Sequence, residues 1–174
     1  ATSPAIMNTA FVAFGLTVVG LAVGLSLQAG RVFLGAVLVG LLGLLGAVAE
    51  GLVHCDSGCK GATTAGALHL GLGLVGFVSG VTALFVLRRR WRGDAGWSGL
   101  RPFLRVTAWA SLLTLLAFLA SNGFPSVAGV VQRLFAASLS VGVGGIGWWL
   151  ASGRPFRGTV AVADPERASH PAPH

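Results

Sequence analysis

Hydrophobic residues fall into five long runs along the chain, separated by short stretches with charged residues, proline and glycine. A helix needs about 20 apolar residues to cross a bilayer core about 30 Å thick, and each run is close to that length. A backbone in lipid must satisfy its own hydrogen bonds, and no alternating pattern indicates a barrel. The runs therefore predict five transmembrane helices: residues 6–27, 32–53, 67–87, 103–120 and 127–150.

The same pattern predicts how the chain is organised. We expect residues 1–150 to form a single all-α bundle and residues 151–174 to form a polar cytoplasmic tail. The tail is rich in proline, alanine and charge and has no periodic apolar face. We therefore expect it to be irregular unless a partner holds it.

Composition supports a membrane location and excludes two other classes. Only 10% of the residues are charged and 54% are hydrophobic, whereas soluble domains carry about 25% charged residues. The net charge is +7, from 12 basic and 5 acidic residues. Most of the basic residues separate apolar runs, and they do not form a stripe on a folded surface, so no nucleic-acid partner is expected.

Basic residues also predict the orientation, because lysine and arginine are retained on the cytoplasmic side. The loop after the third run is placed inside by Arg88, Arg89, Arg90 and Arg92. Alternation then puts the N-terminus outside and the C-terminus inside, in a bacterial inner membrane. These arginines, with Trp148 and Trp149, are predicted to contact inner-face lipid; in the alternative interpretation the arginine run is only the topology signal.

An outside N-terminus needs an explanation, since residues 1–7 carry no charged side chain. A short neutral tail could be translocated, a signal peptide could have been removed, or an upstream helix could be missing from this chain. The residues alone leave these explanations open.

Glycine is abundant within the runs, with 27 in the chain. Small residues four apart lie on one helix face and let backbones approach closely. In one interpretation this face packs the bundle together; in the other it receives another subunit, a pigment or a lipid. The predicted packing positions are Gly20, Gly24, Gly76, Gly80, Gly142 and Gly144.

Cys55 and Cys59 are the two cysteines of the chain, and they flank Asp56-Ser57-Gly58 in a loop predicted to lie outside. A close pair on the oxidising side favours a structural disulfide that shapes the loop. A redox-active dithiol is an alternative, although the spacing differs from Cys-x-x-Cys. A metal site with His54 and Asp56 is another, but it lacks a second local histidine. We predict no metal.

Three ionisable residues lie just inside the predicted outer ends of helices: Glu50, His69 and Arg133. Charged groups at membrane depth usually face the protein interior or a water-filled cavity. We predict a Glu50–Arg133 ion pair with His69 beside it, and Gln132 in the same polar cluster. The cluster is either a structural clamp or interfacial snorkelling, or else an outward-facing pocket for a headgroup, quinone or ion. No catalytic residues and no cofactor are predicted, and one histidine within the runs argues against bis-histidine haem ligation.

Two short motifs resemble a known family. The first is Gly51-Leu52-Val53-His54-Cys55-Asp56-Ser57-Gly58-Cys59, followed by Leu68-His69 at the start of the next run. The second is Gly129-Val130-Val131-Gln132-Arg133. Together they resemble an uncharacterised bacterial and archaeal membrane family, domain of unknown function nine-nine-eight. The resemblance extends from Pro4 to Leu150 and implies a membrane fold and almost no function.

The chain departs from this family's pattern in two places. Gln132 stands where the family usually has glutamate, so the resemblance implies no proton-linked role at that position. Val53-His54 replaces the usual Phe-Pro. The family also has about one more helix before the point where this chain starts. A missing first helix is thereby favoured as the explanation of the outside N-terminus.

The sequence predicts a non-catalytic membrane subunit that packs through glycine-lined faces. Its expected partners are membrane lipids and other membrane protein subunits, and a bound lipid or pigment is compatible with the same faces. The first alternative is a small transporter or ligand-binding protein that uses the polar cluster. The second is a membrane thiol oxidoreductase that uses Cys55 and Cys59.

Overall fold

The computed structural model describes residues 4–27, 32–56, 61–121 and 124–153, and this part of the chain is helical, without β-strands. It contains five helices that are long and apolar enough to cross a membrane, which confirms the predicted all-α fold with five spans. Most of the tail predicted over 151–174 lies outside the described residues. The helices are α1 (Pro4–Ser26), α2 (Phe33–Leu52), α3 (Thr64–Arg90), α4 (Arg101–Ala120) and α5 (Pro125–Ala151).

Helix ends differ from the predicted runs where local hydrogen bonds outweigh hydropathy. α3 begins at Thr64 and not at residue 67, because the Thr63 hydroxyl accepts a hydrogen bond from the Gly66 N–H at 3.0 Å. α3 also continues to Arg90, since arginines in the last turn interact favourably with the final carbonyls. α5 begins with Pro125, which suits a first turn that needs no N–H donor.

Helices that follow one another in the chain pack side by side: α1 on α2, α2 on α3, α3 on α4 and α4 on α5, with a smaller contact between α3 and α5. We call the end that carries Cys55 the cysteine-loop end, and the end that carries residues 88–92 the arginine end. The largest fully buried side chains form the core between the helices: Phe135, Leu25, Leu84, Leu87, Leu104 and Ile146.

The hydrogen-bond pattern of α2 changes along its length. The helix is α-helical over Phe33–Gly43, π-helical over Leu44–Ala49 and α-helical again over Glu50–Leu52. A π-turn accommodates an extra residue and shifts the face that the following residues present, and such turns are frequent at functional sites. Glu50 is the first residue after this π-segment. The hydropathy pattern does not predict the π-segment.

Glycine allows α2 to approach both of its neighbours closely. A Cβ atom at Gly43 would lie 2.8 Å from the carbonyl oxygen of Gly15 in α1. A Cβ atom at Gly46, within the π-segment, would lie 3.1 Å from the Cα of Gly76 in α3. Because the neighbouring atoms belong to backbone, they cannot move aside as a flexible side chain would.

The predicted packing glycines divide into two groups. An added Cβ at Gly76, Gly80 or Gly142 would crowd atoms of a neighbouring helix. At the other three positions an added Cβ would meet no atom within 4 Å in the part of the chain that is described, so these glycines do not pack the bundle. They are Gly20, Gly24 and Gly144.

Tryptophans at the arginine end largely pack against protein. Trp91 and Trp97 are both buried and stack with their ring centroids 3.6 Å apart. Trp149 is half-buried, and its ring N–H donates to the Gly96 carbonyl oxygen at 2.9 Å. Of the two tryptophans predicted to contact lipid, Trp148 is 75% exposed, whereas Trp149 binds the loop between α3 and α4.

Candidate ligand site at Glu50 and His69

Two helix ends bring Glu50 and His69 together at the cysteine-loop end. Glu50 lies in the last turn of α2, and His69 lies in the second turn of α3. The His69 Nε2 atom is 3.3 Å from the Glu50 Oε1 atom. The glutamate side chain is only 9% exposed and the histidine 19%. The structure therefore places two of the predicted polar residues in direct contact, largely out of solvent.

The histidine ring is oriented by backbone. Its Nδ1 atom lies 2.7 Å from the Val53 carbonyl oxygen. A carbonyl oxygen can only accept a hydrogen bond, so Nδ1 carries a proton and donates it. This contact leaves Nε2 directed at the carboxyl group of Glu50.

The distance of 3.3 Å between His69 Nε2 and Glu50 Oε1 suits one proton shared by the two side chains. Either the carboxyl group is protonated and donates to a neutral Nε2, or an imidazolium donates from Nε2 to a carboxylate. In both arrangements the pair has no net charge. A neutral pair is the form of a glutamate and a histidine that a low-dielectric membrane interior tolerates best.

The second carboxyl oxygen of Glu50 has no hydrogen-bond partner among the residues that the structure describes. Oε2 is buried and receives no donor from the described residues. A buried polar atom without a partner loses its hydration without compensation, and such atoms call for an explanation. Within the described part of the chain, Oε2 is therefore an acceptor without a donor at membrane depth.

Gly73 makes room for the carboxyl group. It lies one turn after His69 on the same face of α3, and a Cβ atom there would be 2.8 Å from Glu50 Oε1. The hydropathy pattern does not identify Gly73 as part of the polar cluster. The signal was present in the 3-4-3-4 spacing of the α3 face that turns toward α2: Gly66, His69, Gly73, Gly76 and Gly80.

The loop beside the site is held by Asp56. Its carboxylate accepts hydrogen bonds from the backbone N–H groups of Gly61, at 3.2 Å, and Thr63, at 3.0 Å. His54 is exposed and its Nε2 atom lies 3.2 Å from the side-chain amide of Asn8 in α1. The Asp56 contacts fix the entry to α3, and the His54 contact joins the end of α2 to α1.

Cys59 lies outside the described residues, so the predicted disulfide with Cys55 stays a prediction. The same holds for the alternative dithiol chemistry. No group of three or more His, Cys, Asp or Glu side chains suited to a metal ion occurs within the described ranges.

Arg133 and Gln132 do not join this cluster. Both are exposed on α5. The core-facing residue of this helix turn is Phe135, whose ring packs edge-on against Phe77 at 5.0 Å. Two residues of helix correspond to a rotation of about 200°, so Arg133 faces away from the core. The predicted Glu50–Arg133 ion pair is not formed, because similar depth in the membrane does not fix which way a side chain faces.

The arrangement offers a proton and an unoccupied acceptor side by side. A ligand with an N–H or O–H donor can bind Oε2, and a positive charge on that ligand can replace the proton shared by Glu50 and His69.

A model of the family described as Protein of unknown function (DUF998) matches residues 1–149 of the chain. This match confirms the family that the sequence resembles. No curated protein and no solved structure matches the chain.

Proposed function

The chain belongs to the DUF998 family of proteins of unknown function, and we propose that it is a multi-pass membrane protein that binds a small cation at Glu50 and His69. The cation carries an N–H donor, as ammonium and primary amines do. The observation that carries this proposal is the buried Oε2 atom of Glu50, which has no hydrogen-bond partner among the described residues.

Charge favours a cation over a neutral ligand. The Glu50–His69 pair is neutral while it shares its proton. When a cation binds Oε2 and the shared proton leaves, the carboxylate balances the charge of the cation and the site stays neutral. Proton and cation therefore compete for one carboxylate, which is the property required of a proton-coupled transporter or of a membrane protein that senses the cation.

The cation would reach Glu50 from the cysteine-loop end of the bundle. Glu50 is two residues from the end of α2, and the side chain of His69 beside it is 19% exposed. The hydrogen bonds that the Asp56 carboxylate accepts from the Gly61 and Thr63 N–H groups connect the end of α2 to the start of α3. We propose that the Cys55–Cys59 disulfide adds a covalent constraint to the same loop, on the outer side of a bacterial inner membrane.

We expect Glu50→Gln to weaken the binding of methylammonium by about tenfold or more, because it removes a charge-assisted hydrogen bond. The measurement is isothermal titration of the purified full chain in nanodiscs, in two buffers with different ionisation enthalpies. With the unaltered chain, the difference between buffers is expected to correspond to the release of one proton for each cation bound.

Two controls accompany this titration. His54→Gln alters an exposed histidine in the same loop and is expected to leave binding unchanged. Tetramethylammonium has the same charge as methylammonium but no N–H donor, so it is expected to bind poorly. Equal binding by Glu50→Gln and the unaltered chain, or equal affinity for the two cations, would contradict the proposal.

Arg133 supports a second candidate function, that of a subunit in a larger membrane complex. Its position is about 12 Å along the axis of α5 from Pro125, at 1.5 Å per residue. It is exposed within a predicted span and has no acidic partner among the described residues. Ionisable residues at such depth usually face protein, so an acidic or polar surface of another subunit would complete this face.

For this second function we expect Arg133→Gln to shift the protein from a larger assembly to the single chain in native mass spectrometry of gently solubilised membranes. Arg105→Gln is the matched control, since Arg105 is also exposed but lies near the arginine end of α4. A single chain before substitution, or an assembly that survives Arg133→Gln, would argue against a subunit that docks through α5.

A further inference from the structure

A cavity of about 500 Å³ opens at the arginine end, at the opposite end of α3 from the Glu50–His69 pair. Its walls come from two helices. Leu34 in the first turn of α2 forms one side, and Val86, Arg89 and Arg90 near the end of α3 form the other. The cavity therefore combines an apolar wall with two guanidinium groups.

The charge of these guanidinium groups is not balanced within the described part of the protein. Arg89 and Arg90 are exposed and form no ion pair there. The nearest acidic residue along the chain, Asp94, accepts a hydrogen bond from the Gly96 N–H at 2.9 Å and caps a helical turn. Arg88 and Arg92 add further positive charge on either side. An anion from outside the chain is the natural counterpart of this cluster.

The apolar wall narrows the chemistry of that anion. Leu34 is 50% exposed at a membrane-spanning helix end, and Val86 is half-buried beside it. Guanidinium groups bind phosphate oxygens in a two-pronged geometry. A free phosphate ion would leave the leucine and valine surface uncovered, whereas a phospholipid would place its phosphate on the arginines and its acyl chain along that surface.

We propose that this cavity is a binding site for one anionic phospholipid, held by Arg89 and Arg90 through its phosphate and by Leu34 and Val86 through its acyl chain. The predicted orientation puts this end at the cytoplasmic leaflet, where anionic lipids attract basic residues. The site is independent of cation binding at Glu50, because the two lie at opposite ends of the bundle.

The test is native mass spectrometry of the purified full chain titrated with dioleoylphosphatidylglycerol. Dioleoylphosphatidylcholine, which has the same acyl chains and no net charge, serves as the reference lipid. We expect the unaltered chain to prefer the anionic lipid. In the double variant Arg89→Gln/Arg90→Gln this preference is expected to fall by about thirty-fold, or about fivefold for each charge.

A matched variant separates a defined site from general charge. Arg92→Gln/Arg105→Gln removes the same number of charges from exposed arginines that do not line the cavity, and it is expected to change the preference by less than about threefold. An equal loss in both double variants would overturn the proposal, as would an unchanged preference in Arg89→Gln/Arg90→Gln. Complete displacement of the lipid by millimolar inorganic phosphate would also overturn it, because the apolar wall would then contribute nothing.

Discussion

Replacing Gly76 by valine is expected to destabilise the bundle by about 3 kcal/mol, because α2 and α3 would have to move apart. Even a Cβ atom at Gly76 would overlap the backbone of Gly46 in the π-segment of α2. The atoms that it meets are a Cα and a backbone nitrogen, so no side-chain rotation can relieve the contact. Valine adds two methyl groups to this overlap.

The measurement is thermal unfolding of the purified protein in detergent, followed by circular dichroism. We expect the Tm of Gly76→Val to be lower by about 6–12 °C. The matched control is Gly71→Val on the same helix, where an added Cβ meets no described atom within 4 Å and the residue is exposed. If both variants lose the same stability, the loss reflects valine in the helix and not the crossing of α2 and α3.

The crossing at Gly76 also positions the candidate ligand site. Gly73 lies one turn before Gly76 and is adjacent to the Glu50 carboxyl group, while Gly46 lies one turn before Glu50 in α2. Any separation of the helices at Gly76 would therefore lengthen the contact between Glu50 and His69. We conclude that the π-segment and the glycine face of α3 serve the site as well as the packing.

The number of helices could be predicted from the sequence because the bilayer sets both the length and the conformation of each apolar run. A run of about 20 apolar residues has no alternative in a bilayer to a helix that satisfies its own backbone, and this holds whatever the neighbouring helices are. The predicted positions of the helix ends are less accurate, because the start of α3 depends on the hydroxyl of Thr63 and not on hydropathy.

The candidate site could be predicted only in part, because depth and facing direction are separate quantities. Hydropathy gives the depth of a residue, and on that basis the sequence predicts Glu50, His69 and Arg133 at similar depth. Whether two of them meet depends on rotation about each helix axis. The π-segment before Glu50 sets that rotation in α2, and Phe135 sets it in α5 by facing the core. The same reasoning explains why Gly76 packs while Gly144 does not.

Replacing Trp97 by alanine is expected to have the largest effect on stability, about 3–5 kcal/mol, because it removes a buried aromatic ring. Trp97 is 3% exposed and its ring is stacked on that of Trp91 at an angle of 6°. The segment that carries Trp97 also supplies the Gly96 carbonyl to the Trp149 ring N–H and packs Gly99 against the same ring. Loss of the stack would therefore loosen α3, α4 and α5 together.

Trp148→Ala is the control for this prediction. This substitution removes a ring of the same size from the same end of the bundle, but Trp148 is 75% exposed. We expect the Tm of Trp97→Ala to be lower by about 10 °C or more, and that of Trp148→Ala to change little in detergent. Equal shifts would mean that the Trp91–Trp97 stack does not hold the arginine end. A selective loss in Trp97→Ala should also reduce the preference for anionic phospholipid, because the Arg89 and Arg90 side chains precede the turn that this stack keeps folded.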